Sequence, residues 1–427
     1  MSRGGKVVSV VDVVDVQRLA RRAKQASYAL ARAGTSQKND LLFTIADRLQ
    51  GKHALLLEEN RRDLKRAEGS GMSAAMLDRL ELTEDRLGVM AKGLCDVAAL
   101  PDPVGEVSDL VRRPSGIQVG RMRIPFGLVA IIYESRPNVT TDAAALCLKS
   151  GNATILRGGS EAVHSNQALA SVIAESLTSV GLPAEVVTLM PTTSREALLA
   201  LLKLEELVDL VIPRGGEGLI RFVAENSRIP VIKHYKGTCH VYVDAGADLS
   251  MAVTLTINSK VQRPGVCNAA ETLLVHQTVA RQFLPVVGAA LVQHGVELRG
   301  CPRTREILRE ATPTTEEDWP KEYLDLILSI KVVDTLAEAV EHIRKYGSQH
   351  TETIVTNDHR AAMQFIHEVD SSSVMINAST RFADGGEYGL GAEIGISTSK
   401  LHAYGPMGLR ELTAQKFIVF GQGNIRI

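Results

Sequence analysis

The chain has 427 residues, of which 48 are Lys or Arg and 49 are Asp or Glu, so its formal net charge is −1. This balance excludes a global field that would draw the protein to nucleic acid or to an anionic membrane. An apolar fraction of 45% with 4% aromatics is typical of an α/β enzyme, and the length predicts two or three domains. The first thirty residues lack the apolar core of a signal peptide, so a cytosolic (cytoplasmic) location is expected.

The amino-terminal region predicts helices. Between Val14 and about Gly69 the apolar residues recur at helical spacing, which favours two or three helices, with Thr35 and Ser36 as candidate caps of one of them. A stretch rich in Pro and Gly, residues 101–116, ends this pattern. Two strand-like runs follow in IQVGRMRIPFGLVAIIYES, so a sheet is expected to begin there.

Beyond this point short apolar runs alternate with helix-like segments. The predicted strands are ATILRGG, AEVVTLM, LVDLVIP, PVIKH and CHVYVD. Such alternation indicates βαβ units and a doubly wound parallel sheet, which binds ligands at the carboxyl ends of its strands. A second α/β unit begins at GADLSMAVTLTINSK and contains the predicted strands ETLLVH, DLILSIKVV and TETIVTN, and KFIVFGQGNIRI is expected to be a terminal strand.

The usual phosphate-binding motifs are missing. The sequence has no G-x-x-x-x-G-K-[ST], and G-x-G-x-x-G is only nearly met, at Gly389 and Gly391. However, LVDLVIP is followed by Arg214, Gly215 and Gly216 at a predicted helix start, where backbone amides can accept a diphosphate. An ordinary glycine-rich turn is the alternative.

Cysteines are few and scattered, which excludes a disulfide framework and a zinc ribbon. The five are Cys95, Cys147, Cys239, Cys267 and Cys301. Cys95 and Cys147 fall in apolar helical stripes and are predicted to be core residues. His234, Cys239 and His240 could be mistaken for metal ligands, but neighbours on a strand point to opposite faces, so no metal site is predicted.

Cys267 lies in RPGVCNAA, in a loop between a predicted helix and a predicted strand. Lys260 and Arg263 lie within a few residues, and nearby cations favour the thiolate, which is the nucleophilic form of cysteine. Cys267 is therefore a candidate nucleophile. A loop cysteine with chance basic neighbours is the alternative.

Several long segments carry a family resemblance. They include IPFGLVAIIYESRPNVTTDAAALCLKSGNATILRGG, VQRPGVCNAAETLLVH and NASTRFADGGEYGLGAEIGISTSKLHAYGPMGL. Together they resemble the gamma-glutamyl phosphate reductases (glutamate-5-semialdehyde dehydrogenases), a family of the aldehyde dehydrogenase superfamily, over nearly the whole chain. The resemblance implies a Rossmann-type cofactor domain, an α/β catalytic domain and a small β extension for oligomerisation.

The resemblance also implies a reaction. Cys267 takes the position of the family's nucleophile, whose thiolate attacks L-glutamyl 5-phosphate to form a thioester, and reduction by NADPH gives L-glutamate 5-semialdehyde for proline biosynthesis. The backbone N–H of Cys267 and the amide of Asn138 are the candidate donors to the oxyanion. Gap-free alignment from Gly151 instead places Glu134 where hydrolytic relatives carry their asparagine.

A set of residues takes positions that hold the cofactor NADP(H) in the superfamily. They are Arg157, Gly158, Ser160, Arg214, Gly215, Gly216 and Glu322. Arg157 ends a predicted strand, where it could bind a phosphate or be an ordinary solvated arginine. Ser160 stands where NAD-preferring relatives often have Glu, and the lost carboxylate favours the 2′-phosphate of NADP.

The stretch HYKGTC departs from hydrolytic relatives, which carry a water-activating glutamate there; His234 or Tyr235 lies near that place. Without that base, water cannot easily divert the thioester. The nearest candidates for binding the substrate's phosphate and carboxylate are Arg136, Lys260, Arg263 and Arg381.

The resemblance predicts the domain bounds. The NADP-binding domain is expected at 1–116, 127–243 and 371–395, the catalytic domain at 244–370, and the oligomerisation strands with the carboxyl-terminal tail at 117–126 and 396–427. The expected partners are the small-molecule substrate, further copies of the chain and glutamate 5-kinase. The alternatives are a hydrolytic or CoA-acylating aldehyde dehydrogenase, a thiol hydrolase that pairs Cys267 with a histidine, and a non-catalytic interaction protein.

Overall fold

The computed structural model describes residues 10–426, which divide into two compact units. The described part of unit 1 comprises 10–233, 390–395 and 407–426, and unit 2 comprises 234–389 and 396–406. These bounds differ from the expected domains. Residues 234–243 and 371–389 lie in unit 2 because their strands pair within its sheet.

Helices make up most of residues 10–99, and helices and strands alternate over most of the described residues that follow. The helices are α1 Val10–Leu30, α2 Thr35–Gly51, α3 His53–Gly69, α4 Ala74–Leu80, α5 Glu84–Ala99, α6 Asn138–Lys149, α7 Val163–Ser179, α8 Arg195–Leu201, α9 Glu217–Asn226, α10 Leu249–Val261, α11 Gln277–Gln293, α12 Pro302–Ile307, α13 Leu336–Tyr346 and α14 His359–Glu368.

The strands are β1 Val107–Arg112, β2 Gln118–Pro125, β3 Leu128–Tyr133, β4 Ala153–Arg157, β5 Val187–Leu189, β6 Leu210–Arg214, β7 Cys239–Val243, β8 Ala270–His276, β9 Glu297–Gly300, β10 Thr312–Pro313, β11 Ile327–Val333, β12 Thr351–Val355, β13 Ser373–Ile376, β14 Gly395–Ser397, β15 Gly405–Met407 and β16 Thr413–Phe420.

The helices before residue 70 follow the predicted spacing. The apolar stripe of α2 is fully buried at Leu41, Leu42 and Ile45. The predicted cap is wrong, because Gly34 precedes the helix and the Thr35 hydroxyl donates to Asp102 at 2.8 Å instead.

A four-stranded parallel sheet forms the centre of unit 1, in the order β5-β4-β3-β6. Every residue of β3 is buried, as expected for a strand covered on both faces. Because the strands are parallel, Tyr133, Arg157 and Arg214 end their strands at the same edge. The predicted strand PVIKH is wrong, since this segment makes only one isolated bridge, between Val231 and Val211.

A second sheet of unit 1 is small and antiparallel, in the order β1-β2-β16. β16 pairs along the whole of β2, from Thr413 opposite Pro125 to Phe420 opposite Gln118. The predicted terminal strand therefore exists, but it ends at Phe420 and does not continue through residues 421–426.

Unit 2 is built on a seven-stranded parallel sheet in the order β10-β9-β11-β8-β7-β12-β13. The longest of its helices, α11, packs Phe283, Leu284 and Val287 into a buried core with residues of β8 and β11. Across residues 10–426, no helix is both long and apolar enough to cross a membrane.

Candidate active site

The glycine turn after β6 holds a carboxylate. The N–H of Gly216, the residue before α9, donates to Oε2 of Glu134 at 3.0 Å, and a Cβ on Gly215 would stand 2.4 Å from the same oxygen. The side chain of Arg214 packs against Gly395. Amides at a helix start favour anions, and a carboxylate of the chain itself occupies this position. The turn therefore fits a diphosphate once Glu134 withdraws.

Arg157 ends β4 at the same sheet edge. Its Nη2 donates to the carbonyl of Thr193 at 2.6 Å, whereas its buried Nε finds no hydrogen-bond partner in the described part of the chain. Burial lowers the pKa of Arg157, and the carboxylates of Glu161 and Glu134 oppose that shift. A buried donor without a partner costs free energy, so this guanidinium fits a bound hydroxyl or phosphate.

The loop after β4 explains why glycine stands at 158. A Cβ on Gly158 would lie 2.1 Å from Nδ2 of Asn166 and 3.2 Å from Cζ of Tyr133. Ser160 is exposed, and its carbonyl accepts a hydrogen bond from the guanidinium of Arg66 in α3. Sequence reasoning missed Arg66, because it precedes Ser160 by 94 positions in a helix with many surface arginines.

Asn138 begins α6, and its amide donates to Asp142 one turn later at 2.8 Å. Its proposed role as an oxyanion donor stays a prediction. Arg136 is exposed in the preceding segment.

The loop that carries Cys267 is held by backbone packing. A Cβ on Gly237 would stand 1.8 Å from the carbonyl oxygen of Cys267 and 2.7 Å from its Cα, so only glycine fits at 237. The Cys239 thiol donates to the same carbonyl at 3.1 Å. Burial raises the pKa of Cys239 well above its ordinary value, so this cysteine stays a protonated donor while Cys267 is partly exposed.

Two histidines lie beside the sulfur of Cys267. One ring nitrogen of His234, one of His350 and the Sγ of Cys267 all lie within 4.8 Å of one another. The Nδ1 of His234 contacts the carbonyl of Ile396 at 3.0 Å, and the Nδ1 of His350 contacts the Thr351 hydroxyl at 2.8 Å. Sequence analysis missed His350. It considered His234 as a metal ligand with Cys239 and His240 and as a replacement for a glutamate, but it did not place His234 beside Cys267.

Lys260 does not present its ammonium at the site. Its Nζ lies 2.7 Å from Oε2 of Glu271, and both side chains are fully buried. Burial lowers the pKa of Lys260 and raises that of Glu271 to about 7. The geometry therefore gives Lys260 a structural role and no support as a substrate-binding cation.

Arg381 lies against the loop of Cys267. Its Nε donates to Gln262 at 2.8 Å, and its Nη1 donates to the side-chain oxygen of Asn268. Burial and the neighbouring Arg263 lower the pKa of Arg381. Arg263 is exposed, so both arginines remain candidates for binding the substrate's phosphate or carboxylate.

Glu322 is tied to the same region. Its Oε1 accepts a hydrogen bond at 2.8 Å from the N–H of Gly237, the glycine that touches Cys267. Residues 320 to 324 are therefore placed beside the thiol loop. Its expected contact with a nicotinamide ribose remains a prediction.

A parallel α/β fold, an accessible loop cysteine and a glycine turn at a sheet edge together are typical of the aldehyde dehydrogenase class of enzymes. The sequence model described as the aldehyde dehydrogenase family matches residues 5–299, and the chain belongs to this family. Its resemblance to gamma-glutamyl phosphate reductases in particular is confirmed by individual relatives.

The curated gamma-glutamyl phosphate reductase of Desulfatibacillum aliphaticivorans is 60% identical, with 94% of this chain and 96% of that protein covered. The one from Geobacter metallireducens is 57% identical over the same shares of each chain. The crystal structure of gamma-glutamyl phosphate reductase from Thermotoga maritima matches with a TM-score of 0.95 at 48% identity, covering 96% of this chain and 100% of that chain.

Proposed function

We propose that the protein reduces L-glutamyl 5-phosphate to L-glutamate 5-semialdehyde and phosphate, with NADPH as reductant, in L-proline biosynthesis. The observation that carries the proposal is the partly exposed sulfur of Cys267, beside two imidazoles in a chain that is 60% identical to a gamma-glutamyl phosphate reductase. This set of groups suits acyl transfer to sulfur.

The first step joins sulfur to the substrate. The thiolate of Cys267 attacks the acyl carbon, the bond from that carbon to the phosphate oxygen breaks, and phosphate leaves with the bonding electrons. His234 or His350 is close enough to take the thiol proton. The backbone N–H of Cys267 and the amide of Asn138 are the proposed donors to the developing oxyanion.

Cofactor binding is proposed at the carboxyl edge of the unit 1 sheet, where NADPH, when bound, supplies the hydride that reduces the thioester. Gly215 and Gly216 would receive the diphosphate, which replaces the carboxylate of Glu134. Arg157 would face the adenosine ribose, with Gly158 and Ser160 shaping the turn beside it, and Glu322 would hold the nicotinamide ribose. Arg214 supports the edge by packing against the Gly-rich segment.

Arg66 sharpens the choice of cofactor. Its guanidinium already contacts the carbonyl of Ser160, and the cofactor proposal places the 2′-phosphate of NADP near that residue. Arginine binds phosphate with charge-assisted hydrogen bonds. NADP is therefore proposed over NAD.

The test is NADPH consumption with glutamyl phosphate, or the reverse reaction that requires phosphate and NADP with the semialdehyde. Cys267→Ser should lower turnover by more than about a thousandfold, since the nucleophile is lost, while NADPH binding is retained. Cys95→Ser is the control and should keep full turnover. A Cys267→Ser protein with normal turnover would remove the thioester mechanism.

A thiol hydrolase is the second candidate, because His234 and His350 supply the histidine that such an enzyme needs beside Cys267. It would release phosphate from the acyl phosphate at full rate without NADPH. The reductase should release at most one equivalent under that condition, as the thioester accumulates.

Oligomerisation is proposed through the sheet of β1, β2 and β16. Its large apolar side chains are unusually exposed, at 67% for Phe417, 57% for Val419 and 56% for Phe420. Exposed apolar patches of this kind mark association surfaces. Phe417→Asp should shift the mass measured by light scattering towards the monomer. A kinase that forms the unstable acyl phosphate is proposed as a partner.

A further inference from the structure

The group of Cys267, His234 and His350 has the composition of a metal site. It offers one thiol sulfur and two imidazole nitrogens, all within 4.8 Å of one another. Soft sulfur with imidazole selects Zn²⁺ and similar transition metals, whereas Mg²⁺ and Ca²⁺ require oxygen ligands. The sequence predicted no metal site. The ligand set rejected there contained Cys239 and His240 with His234, and not Cys267 and His350.

Contacts around both rings orient them as metal ligands usually are. If Nδ1 of His234 donates to the carbonyl of Ile396 at 3.0 Å, its lone pair lies on Nε2. Nδ1 of His350 can donate likewise to the Thr351 hydroxyl at 2.8 Å. Metal-bound histidines typically donate their second ring N–H to such an oxygen, which fixes the tautomer.

The distances are close to those of a tetrahedral site. Zinc binds sulfur at about 2.3 Å and imidazole at about 2.0 to 2.1 Å, so ligand atoms in a tetrahedral site stand about 3.3 to 3.8 Å apart. Atoms within 4.8 Å need to close by roughly 1 Å, which side-chain rotation can provide. The loop backbone stays fixed, because Gly237 packs on Cys267 and Cys239 donates to its carbonyl.

We propose that His234, Cys267 and His350 bind one Zn²⁺ ion, with water as the fourth ligand, and that the bound ion blocks the thiol. Binding forms a zinc–sulfur bond and releases the thiol proton to solvent, so no oxidant or reductant is consumed. The block of activity rests on the proposed function, whereas metal binding does not.

Cobalt(II) tests the site directly on the full chain, after treatment with a chelator. One equivalent should give a thiolate-to-cobalt charge-transfer band and the strong visible bands of four-coordinate cobalt, and Zn²⁺ should abolish both. Cys267→Ala should lose the charge-transfer band. His234→Ala and His350→Ala should each weaken Zn²⁺ binding at least about tenfold. His234 is the safer variant, because His350 is fully buried.

Cys95→Ala and His294→Ala are the matched controls, since His294 is exposed and both lie outside the group. Each should bind Co²⁺ like the unaltered chain. A charge-transfer band that survives in Cys267→Ala, or Zn²⁺ affinity unchanged in both histidine variants, would overturn the site. So would the absence of a one-to-one complex at micromolar Co²⁺.

The activity arm is separate. Zn²⁺ should stop turnover and slow alkylation of Cys267 by iodoacetamide, and a chelator should restore both. Binding of Co²⁺ with undiminished turnover in Zn²⁺ would refute the block and leave the site standing. A chain that binds Co²⁺ but never reduces glutamyl phosphate would refute the proposed function alone.

Discussion

Glycines lie at two important positions of this protein and have opposite effects there: one pair leaves open space, and the other residue allows close backbone contact. At the turn of unit 1, Gly215 and Gly216 leave room that a movable side chain, Glu134, occupies. In unit 2, Gly237 brings its own backbone against that of Cys267, where no side chain can yield. The first arrangement leaves a space that a ligand can occupy, and the second fixes the backbone of Cys267, the candidate nucleophile.

Among the variants that test this comparison of the two units, Gly237→Ala should have the largest effect. Gly237→Ala places a Cβ 1.8 Å from the carbonyl oxygen of Cys267, so the loop must shift. A displacement of about 1 Å at a reacting group can cost roughly a hundredfold in rate, and turnover should fall at least that far. NADPH affinity, measured by fluorescence titration, should fall much less than turnover, because the glycine turn of unit 1 is unaltered and, among the proposed cofactor contacts, only Glu322 borders Gly237.

Gly218→Ala is the control, because a Cβ there meets nothing within 4 Å. Its turnover should equal that of the unaltered chain. Normal turnover in Gly237→Ala would show that both glycines border adaptable space, and the contrast between the units would fail.

The next largest difference between the two units should be in how their stability responds to acid. Of the 11 histidines, all except His53 and His164 lie in unit 2. His342 is buried there, and burial, with His240, Lys331 and Lys345 nearby, lowers its pKa from 6.5 to about 2. Between these values the unfolded chain binds one more proton than the folded chain. Stability therefore falls as the pH drops below about 6.5, by at most about 1.4 kcal/mol per pH unit from this residue.

His342→Phe should flatten the fall in stability measured by denaturant unfolding between pH 6.5 and 5. His359→Ala, at an exposed position, should leave the slope unaltered. An unchanged slope in His342→Phe would mean that other groups set the acid response.

Arg66→Ala should have an intermediate effect at the proposed cofactor site. Loss of a charge-assisted hydrogen bond costs about 1.5 to 3 kcal/mol, so the dissociation constant of NADPH should rise tenfold or more while that of NADH barely changes. Arg62→Ala, one turn earlier in α3 and paired with Glu59, is the matched control. Equal losses for both cofactors would argue against contact with the 2′-phosphate.

The smallest effect should come from Glu134→Gln. Removing a negative charge from the start of α9 removes a competitor of the diphosphate, and a helix-end interaction is worth about 0.3 to 1 kcal/mol. NADPH should therefore bind about two- to fivefold more tightly by titration. Glu217→Gln, whose side chain pairs with Arg221 in the same helix, should show no gain. Weaker binding in Glu134→Gln would mean that the carboxylate supports the cofactor.

The alternating pattern predicted the α/β fold correctly, because each buried strand is a short apolar run between helices. Local patterns could not assign PVIKH, where tertiary context left a single bridge. They also missed the partners of Cys267, since His234 and His350 lie 33 and 83 positions away in sequence and meet it only through folding of unit 2. The prediction that Lys260 binds substrate has no support for the opposite reason. Lys260 is near Cys267 in sequence, but in the structure its ammonium group pairs with Glu271.

The pairing of β16 with β2 constrains how the protein is made. The guanidinium of Arg121 in β2 donates to the side chain of Gln415 in β16, which is 294 positions later, and all of unit 2 is synthesised between these two residues. Chains fold domain by domain as they leave the ribosome, so unit 2 can complete its sheet while β2 still lacks its neighbour. β16 therefore completes the antiparallel sheet of unit 1 only after unit 2 has been translated, and a chain truncated before residue 413 leaves one edge of β2 unpaired.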